Sequence, residues 1–524
     1  MTLVLRIALT VASGVLYGLC FPPHDRSALA WLALAPFLLA LRGASLRAAI
    51  GLGWLWSLLA AWSVGEWMPA AVETYYLQPR LVGYLVFLGV ATLMVAPYHT
   101  AFALAYRVLA RRPGAALPVV AAAAWSGAEL LRGRLFTGTP LFIGNPWALL
   151  GYSQSDLLPL VQVADLGGVY GVSFVVAAAN AALVEAFAAW REGHGRVLPG
   201  RRVGGARGVF VPLVVGALPA LLALAYGVRC LRASGPPEPR VRVAVIQGDV
   251  AVGALWRPEK HGENLDVYLG LSAGPLARGA ALVVWPESAA TFFLEQEPAL
   301  RVRLASALAP WGAELVLGAP RAGPDGRPPF FNSVYVLEPD GRLAARYDKQ
   351  LLVPFAEHFP FGGIAFLRRR FARVREFAAG PASAGLPTRA GPAGVLICNE
   401  AMLPEVAGAR VEAGAAWLVS PSNDSWVPSA DFAELQFDVV RLRAVEQRRF
   451  LVRASTSGPS AIVDVQGRVL ARTHASERGA IEGEIAPAYG RSVYGRIGDA
   501  FGFACLAVTA VALVVARRGD ERPR

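Results

Sequence analysis

A chain of 524 residues that is 55% hydrophobic, only 17% charged and has a mean hydropathy of +0.44 is not an ordinary soluble protein, and its length leaves room for a membrane part and a separate globular domain. The net charge of +12 raises nucleic acid as a partner, but the arginines fall in short runs between apolar segments instead of along one aromatic-studded face, so no nucleic acid is expected and the pattern reads as membrane topology. The four cysteines, Cys20, Cys230, Cys398 and Cys505, form no CxxC pair and have no histidines at metal-ligand spacing, so no metal or other cofactor is expected.

In chain order, apolar segments 2–21 and 27–42 read as a helical pair split by Pro22-Pro23-His24-Asp25-Arg26. Leu19 stands before Cys20 where a signal-peptide cleavage site needs a small residue, so the first segment is kept as a helix. Further spans at 47–68, 81–109, 116–133, 160–190, 209–230 and 498–516 bring the total to eight. Arg42, Arg47, Arg111 and Arg112, the 191–207 loop with Arg191, Arg196, Arg201, Arg202 and Arg207, and the tail with Arg517, Arg518, Arg522 and Arg524 all fall on one side. Arg80, Arg132 and Arg134 fall on the other, and the imbalance puts both termini in the cytoplasm and the long 233–490 stretch outside it. The outer loops carry Tyr75, Tyr76, Phe136, Phe142, Trp147 and Tyr152, a content suited to the lipid headgroup level, and Glu129 with Arg132 at the end of the fifth span reads as an interfacial ion pair or a functional one.

Residues 1–232 are therefore expected to hold seven transmembrane helices, 233–240 (Ala-Ser-Gly-Pro-Pro-Glu-Pro-Arg) a linker, 241–490 a globular domain, and 491–524 the eighth helix and a cytoplasmic tail. Within the globular part, short β-type runs alternate with helical stretches: VRVAVIQG, ALVVWPE, ELVLGAP, SVYVLEP, RLAARYDK, GVLICNE, AWLVSPS, FLVRAST and AIVDVQG. Several are apolar on both faces, which predicts sheets covered by helices, an α/β or four-layer αββα domain. In GPAGVLICNEAMLPE a buried strand stops at Cys398 and turns into a segment of helical character, Glu405 to Trp417. A thiol at that junction sits near the positive end of a helix dipole and is expected to be thiolate-prone, although free cysteine is also a common inert core residue.

Three polar groups follow three apolar strands: Glu287 after Ala281–Pro286, Lys349 after Arg342–Asp348, and Cys398 after Gly394–Ile397. Lys349 is one of only two lysines, with Lys260, among 50 basic residues, which marks it as a place where a compact ammonium is wanted. A carboxylate, an ammonium and a thiol meeting at strand ends would make a base, an oxyanion partner and a nucleophile.

The motifs Trp285-Pro286-Glu287-Ser288, Tyr347-Asp348-Lys349 and Ile397-Cys398-Asn399-Glu400 resemble, in order, the three signatures of the carbon-nitrogen hydrolase (nitrilase) superfamily with its Glu-Lys-Cys triad. More narrowly, the whole chain is similar to the apolipoprotein N-acyltransferase family, in which a nitrilase-like domain precedes the last of eight transmembrane helices. The similarity extends through Val245-Ile246-Gln247-Gly248, Val353 to Glu357, Ser422 to Trp426, Glu129 to Arg132, Gly151 to Gln154 and Gly168 to Phe174. Asn399 departs from it, since many members have tyrosine after the nucleophile.

The resemblance implies that Glu287, Lys349 and Cys398 are catalytic, that Glu357 and Glu400 support them, and that Trp256, Asn399 and Trp426 contact substrate. It implies an acyl chain moving from a phospholipid, phosphatidylethanolamine, through a Cys398 thioester to the α-amine of the N-terminal diacylglyceryl-cysteine of a lipoprotein. It also implies a monomer in a bacterial inner membrane with the catalytic domain periplasmic. The same triad would serve a membrane-anchored amidase or nitrilase hydrolysing a C–N bond, and a transporter or receptor with a catalytically dead outer domain is a reading from another class.

Overall fold

The computed structural model describes residues 1–135, 137, 144–195, 206–232, 239–250, 260–360, 364–370 and 376–518. Trp256, Phe136, Phe142, most of the 233–240 linker and the arginines at 196, 201, 202, 522 and 524 lie outside the described residues.

The N-terminal part is helical: α1 (Leu3–Gly18), α2 (Ala35–Leu41), α3 (Leu46–Gly65), α4 (Met68–Tyr76), α5 (Arg80–Leu109), α6 (Leu117–Arg134), α7 (Ala164–Gly195) and α8 (Ala206–Arg232). Among the described residues, five helices are long and apolar enough to cross a membrane: α3, α5, Ala164–Glu192 of α7, Arg207–Arg232 of α8, and the C-terminal Ala500–Arg518. The first two apolar segments are shorter, Leu3–Gly18 and a broken run over Ser27–Leu41. Helices α5 and α7 are both interrupted. In α5 one π-turn, Ala91–Val95, precedes Pro97, the imino acid that cannot complete the helical ladder, and its residues Ala91, Met94 and Val95 face a cavity. In α7, Gly168 takes φ +62°, where a Cβ would lie 2.6 Å from the Tyr494 ring, so the helix breaks and restarts at Val169.

The globular part follows as β1 (Val241–Gln247), α9 (His261–Ala277), β2 (Leu282–Val284), α10 (Pro298–Leu308), β3 (Glu314–Arg321), β4 (Phe331–Leu337), β5 (Leu343–Asp348), β6 (Ala393–Val395), α11 (Pro404–Glu412), β7 (Trp417–Ser422), α12 (Ala430–Gln447), β8 (Leu451–Ser455), β9 (Ala461–Val463), β10 (Val469–Arg472) and β11 (Gly479–Ile485), and α13 (Ala500–Arg518) closes the chain. The strands form two sheets, β11-β1-β2-β3-β4-β5 and β10-β9-β8-β7-β6; β1-β2-β3 in the first and β8-β7-β6 in the second run parallel, and the other pairs are antiparallel. Strand alternation decides the layers. Val243, Val245, Val284 and Val316 of one sheet pack against Val395, Val419, Val452 and Ile462 of the other. The opposite faces, Ala244, Ile246, Val283 and Leu315 on one side and Leu418, Leu451 and Val463 on the other, are covered by α9 with α10 and by α11 with α12. This is the expected αββα layering.

Helix α12 is buried all round because it serves two cores: Phe437, Val440 and Ala444 meet the second sheet, while Leu435, Val439, Leu442 and Val445 join the membrane-helix core. Polar pairs pin the joint. Glu446 Oε1 accepts from the Val169 N–H at 2.9 Å, capping the restarted half of α7, and Arg443, wholly buried, pairs with Glu446 at 3.1 Å and donates to Tyr152 Oη at 3.0 Å. Arg448 reaches Asp165 at 2.5 Å.

Candidate active site

The three groups end strands of two facing sheets, not of one: Glu287 lies beyond β2, Lys349 beyond β5 and Cys398 beyond β6. All three line one cavity of about 340 Å³. Its wall continues through Asn399 and Trp426 into the helical part, where Val64 of α3, Trp67, and Phe87, Val90 and Met94 of α5 line it.

Glu287 is fixed from three sides. The WPES turn is tied to β3 by the bonds Trp285 N–H to Val316 O (2.8 Å) and Gly318 N–H to Pro286 O (3.2 Å). Gly318 lets this happen, since a Cβ there would stand 2.6 Å from Glu287 Cα. At the carboxylate, Asn332 Nδ2 donates to Oε1 (2.6 Å) and the Asn423 backbone N–H donates to Oε2 (2.8 Å). Asn332 Nδ2 also donates to Glu357 Oε1 (2.9 Å), whose Oε2 pairs with Lys349 Nζ at 2.7 Å, so one amide holds both carboxylates beside the ammonium. Sequence reasoning assigned no role to Asn332 or Asn423. The signal for Asn332 was the polar pair Asn332-Ser333 just ahead of the apolar run Val334–Leu337 of β4; for Asn423, which donates through its backbone, no side-chain signal exists.

Burial dominates the electrostatics. It pushes the Glu287 carboxyl up to about 7 against the downward pull of Lys349. Lys349, 1% exposed, stays protonated above its ordinary range because Glu357 and Glu287 outweigh the cost of burying its charge. The Cys398 thiol is pushed up to about 12, first by burial and then by Glu287. This corrects the expectation of a thiolate favoured by a helix dipole. The strand ends at Val395, a single 3₁₀ turn runs over Cys398–Met402, and α11 begins only at Pro404, so the sulfur does not sit on an α-helix N-terminus. The segment expected to be helical to Trp417 stops at Glu412, and Trp417 opens β7.

Cys398 has φ +52° and Ser288 φ +56°, left-handed conformations that cost about 1–2 kcal/mol each for such residues. Glu400 opposes the first. Wholly buried, it accepts at Oε2 from the Ile397 N–H (2.9 Å) and at Oε1 from Tyr347 Oη (2.8 Å) and the backbone N–H groups of Gln350 (2.8 Å) and Leu351 (3.1 Å). It therefore ties the turn before the thiol to the chain after Lys349. Arg410, 3.9 Å from Glu400, balances its charge and donates to the Val395 carbonyl at 3.0 Å.

Glu357 meets Lys349 directly, whereas Glu400 acts through the backbone. Trp426 sits in an aromatic cluster with Trp67, Tyr75 and Phe432, ring centroids 6.2, 6.0 and 5.8 Å away. Glu129 and Arg132 are buried and both bind the 144–150 loop: the Leu150 N–H donates to Glu129 (2.7 Å), and Arg132 donates to the carbonyls of Asn145 (3.0 Å) and Trp147. That loop brings Asn145 and Trp147 to the cavity.

Residues 13–182 match the family model described as the apolipoprotein N-acyltransferase N-terminal domain, and residues 242–494 match carbon-nitrogen hydrolase. Apolipoprotein N-acyltransferase of Geobacter metallireducens is 34% identical over 97% of this chain and 95% of its own, and that of Azotobacter vinelandii 32% over 98% and 95%. Among solved structures, an amidase from Nesterenkonia sp. aligns with 48% of this chain and 91% of its own at a TM-score of 0.36 and 23% identity. With a nitrilase-like domain joined to a bundle of apolar helices, and with relatives of this identity along nearly its whole length, the chain belongs to the apolipoprotein N-acyltransferase family.

Proposed function

We propose that the protein transfers an acyl chain from a membrane phospholipid, phosphatidylethanolamine, to the α-amine of the N-terminal diacylglyceryl-cysteine of lipoproteins. Glu287, Lys349 and Cys398 are the catalytic residues. The observation that carries this reading is the single cavity in which these three groups meet and whose wall runs on into α3 and α5. A hydrolase of small amides needs no such wall, which favours acyl transfer over the amidase reading.

With the thiol near 12 and the carboxyl near 7, thiolate is scarce at rest, so the proton moves to Glu287 as sulfur attacks. The ester C–O bond breaks, Glu287 returns the proton to the leaving lysophospholipid oxygen, and the acyl group stays on Cys398 as a thioester. The Lys349 ammonium stabilises the tetrahedral oxyanion, a role in which single donors are worth about 3 kcal/mol. The amine then attacks, the C–S bond breaks and Glu287 carries the amine proton to sulfur.

In this reading the chain is a monomer of a bacterial inner membrane with eight spans, both termini cytoplasmic, the 241–490 domain periplasmic and 233–240 a linker. Trp426 and Trp256 flank the acyl chain. Mass spectrometry of the protein incubated with phospholipid tests the core of it. An acyl adduct should appear on Cys398, leave on addition of a diacylglyceryl lipopeptide with a free amine, and be absent in Cys398→Ala. A Cys398→Ala protein that still transfers acyl chains refutes it.

A further inference from the structure

Asn399 follows Cys398 directly, is 7% exposed and lines the same cavity, yet its Oδ1 is buried without a hydrogen-bond partner. Its Nδ2 faces the Leu351 carbonyl oxygen at 3.4 Å. A carbonyl only accepts, so the amide is held with its nitrogen toward Leu351 and its oxygen free. Buried acceptors are normally satisfied, and one left open beside a nucleophile marks where a donor arrives.

We propose that Asn399 Oδ1 accepts a hydrogen bond from the acceptor's α-amine as that amine attacks the thioester on Cys398. This rests on the acyl-transfer reading above and names the atom that orients the second substrate. A neutral primary amine brings two hydrogens to the carbonyl carbon. As the N–C bond forms and the C–S bond breaks, one proton passes to Glu287 and on to the departing sulfur. The other N–H remains on nitrogen, and its bond to Asn399 aims the lone pair. A neutral amide suits this place because it accepts the bond without taking the proton, so it does not compete with Glu287. The first half-reaction makes no such demand: the leaving group is an alcohol, and the ammonium of a phosphatidylethanolamine headgroup is separated from the reacting ester by the glycerol and the phosphate.

The test starts from enzyme acylated beforehand with phospholipid, so differences in thioester formation divide out. Single-turnover release is measured with a diacylglyceryl lipopeptide bearing a primary α-amine and with its N-methyl counterpart, for the wild type and for Asn399→Leu. The secondary amine gives its one hydrogen to Glu287 and has none for Asn399. The expected result is that Asn399→Leu slows release by the primary amine about ten- to hundredfold. With the N-methyl acceptor the two enzymes agree within about threefold, a non-additivity between residue and substrate. Equal losses with both acceptors, or no loss with either, overturn the proposal. So does an Asn399→Leu protein that cannot be acylated when the wild type can, which assigns the residue to the donor half-reaction. A wild type that forms no acyl-enzyme removes the acyl-transfer reading itself, and this inference with it.

Discussion

Glu400→Gln is the substitution whose consequence comes most directly from the geometry. All four groups bonded to the carboxylate are donors, three on Oε1 and the Ile397 N–H on Oε2. Glutamine offers one accepting oxygen. If that oxygen keeps the three donors, its NH₂ meets the Ile397 N–H head-on, and one buried donor is left unpaired at a cost of about 1–3 kcal/mol. The lost charge also leaves the buried guanidinium of Arg410, 3.9 Å away, without its carboxylate, and breaking a buried ion pair from one side costs about 3–5 kcal/mol. Together these losses come to at least about 3 kcal/mol, more than the roughly 1–2 kcal/mol of strain at the left-handed Cys398 that the Ile397 bond holds in check. The turn therefore relaxes and the sulfur leaves its station beside Lys349. The assay is acyl-thioester formation from phospholipid, read by mass spectrometry, together with thermal unfolding in detergent. The expected result is a loss of at least about a hundredfold in thioester formation with a clear drop in Tm. A Glu400→Gln protein with wild-type Tm and thioester rate would refute the idea that this carboxylate holds the two loops together.

Thioester formation is expected to fall as pH drops through about 7, because Glu287 must be ionised to take the thiol proton and burial has raised it to that value. Glu357→Gln removes a negative neighbour that raises Glu287 further, so this acid limb should move to lower pH; a limb that stays or moves alkaline contradicts the assignment. Gly318→Ala drives a methyl into the Glu287 backbone and should cut thioester formation at least about tenfold while the chain still folds. Arg443→Met leaves Glu446 buried and unpaired at the joint and should destabilise by about 3–5 kcal/mol in thermal unfolding, with Arg443→Met/Glu446→Gln recovering most of it; an undiminished loss in the double variant would show that the ion pair is not what matters.

What the sequence disclosed and what it hid divide along physical lines. The central strands were legible because both their faces are buried, giving unbroken apolar runs such as Leu282–Val284 and Leu315–Leu317. Strands β10 and β11 were not singled out, because at the sheet edges both are half-exposed, Val469–Arg472 being only four residues long and Gly479–Ile485 mixing charge with glycine. The motifs pointed to Glu287, Lys349 and Cys398, which line one cavity, but the thiol's protonation was misjudged, since a dipole argument needs the helix to begin at the residue and here it begins six positions later. Asn332 was illegible as a partner of Glu287 and Glu357 because they meet only after β4 pairs with β3. The doubly buried face of α12 was likewise hidden, for its charged residues Arg443 and Glu446 look solvated until the membrane helices cover them.

That covering explains why the helical part is more than an anchor. At about 0.8 kcal/mol per CH₂, drawing even about ten methylenes of a phospholipid chain into water would cost roughly 8 kcal/mol, enough to defeat a soluble enzyme of the same fold. Under the proposed function, a cavity lined by Phe87, Val90 and Met94 at one end and by Cys398 at the other lets the chain stay among apolar side chains while its ester reaches the thiol. The π-turn at Ala91–Val95 turns Met94 and Val95 onto that wall. The same enclosure would decide the fate of the proposed thioester. With Lys349 1% exposed and Cys398 8% exposed, bulk water has little access to the acyl carbon, and an amine carried in on its own diacylglyceryl anchor arrives from the side where the wall is apolar. Under the proposed function, transfer in place of hydrolysis then needs no change to the chemistry assigned to Glu287, Lys349 and Cys398, only a site that the bilayer supplies and water does not.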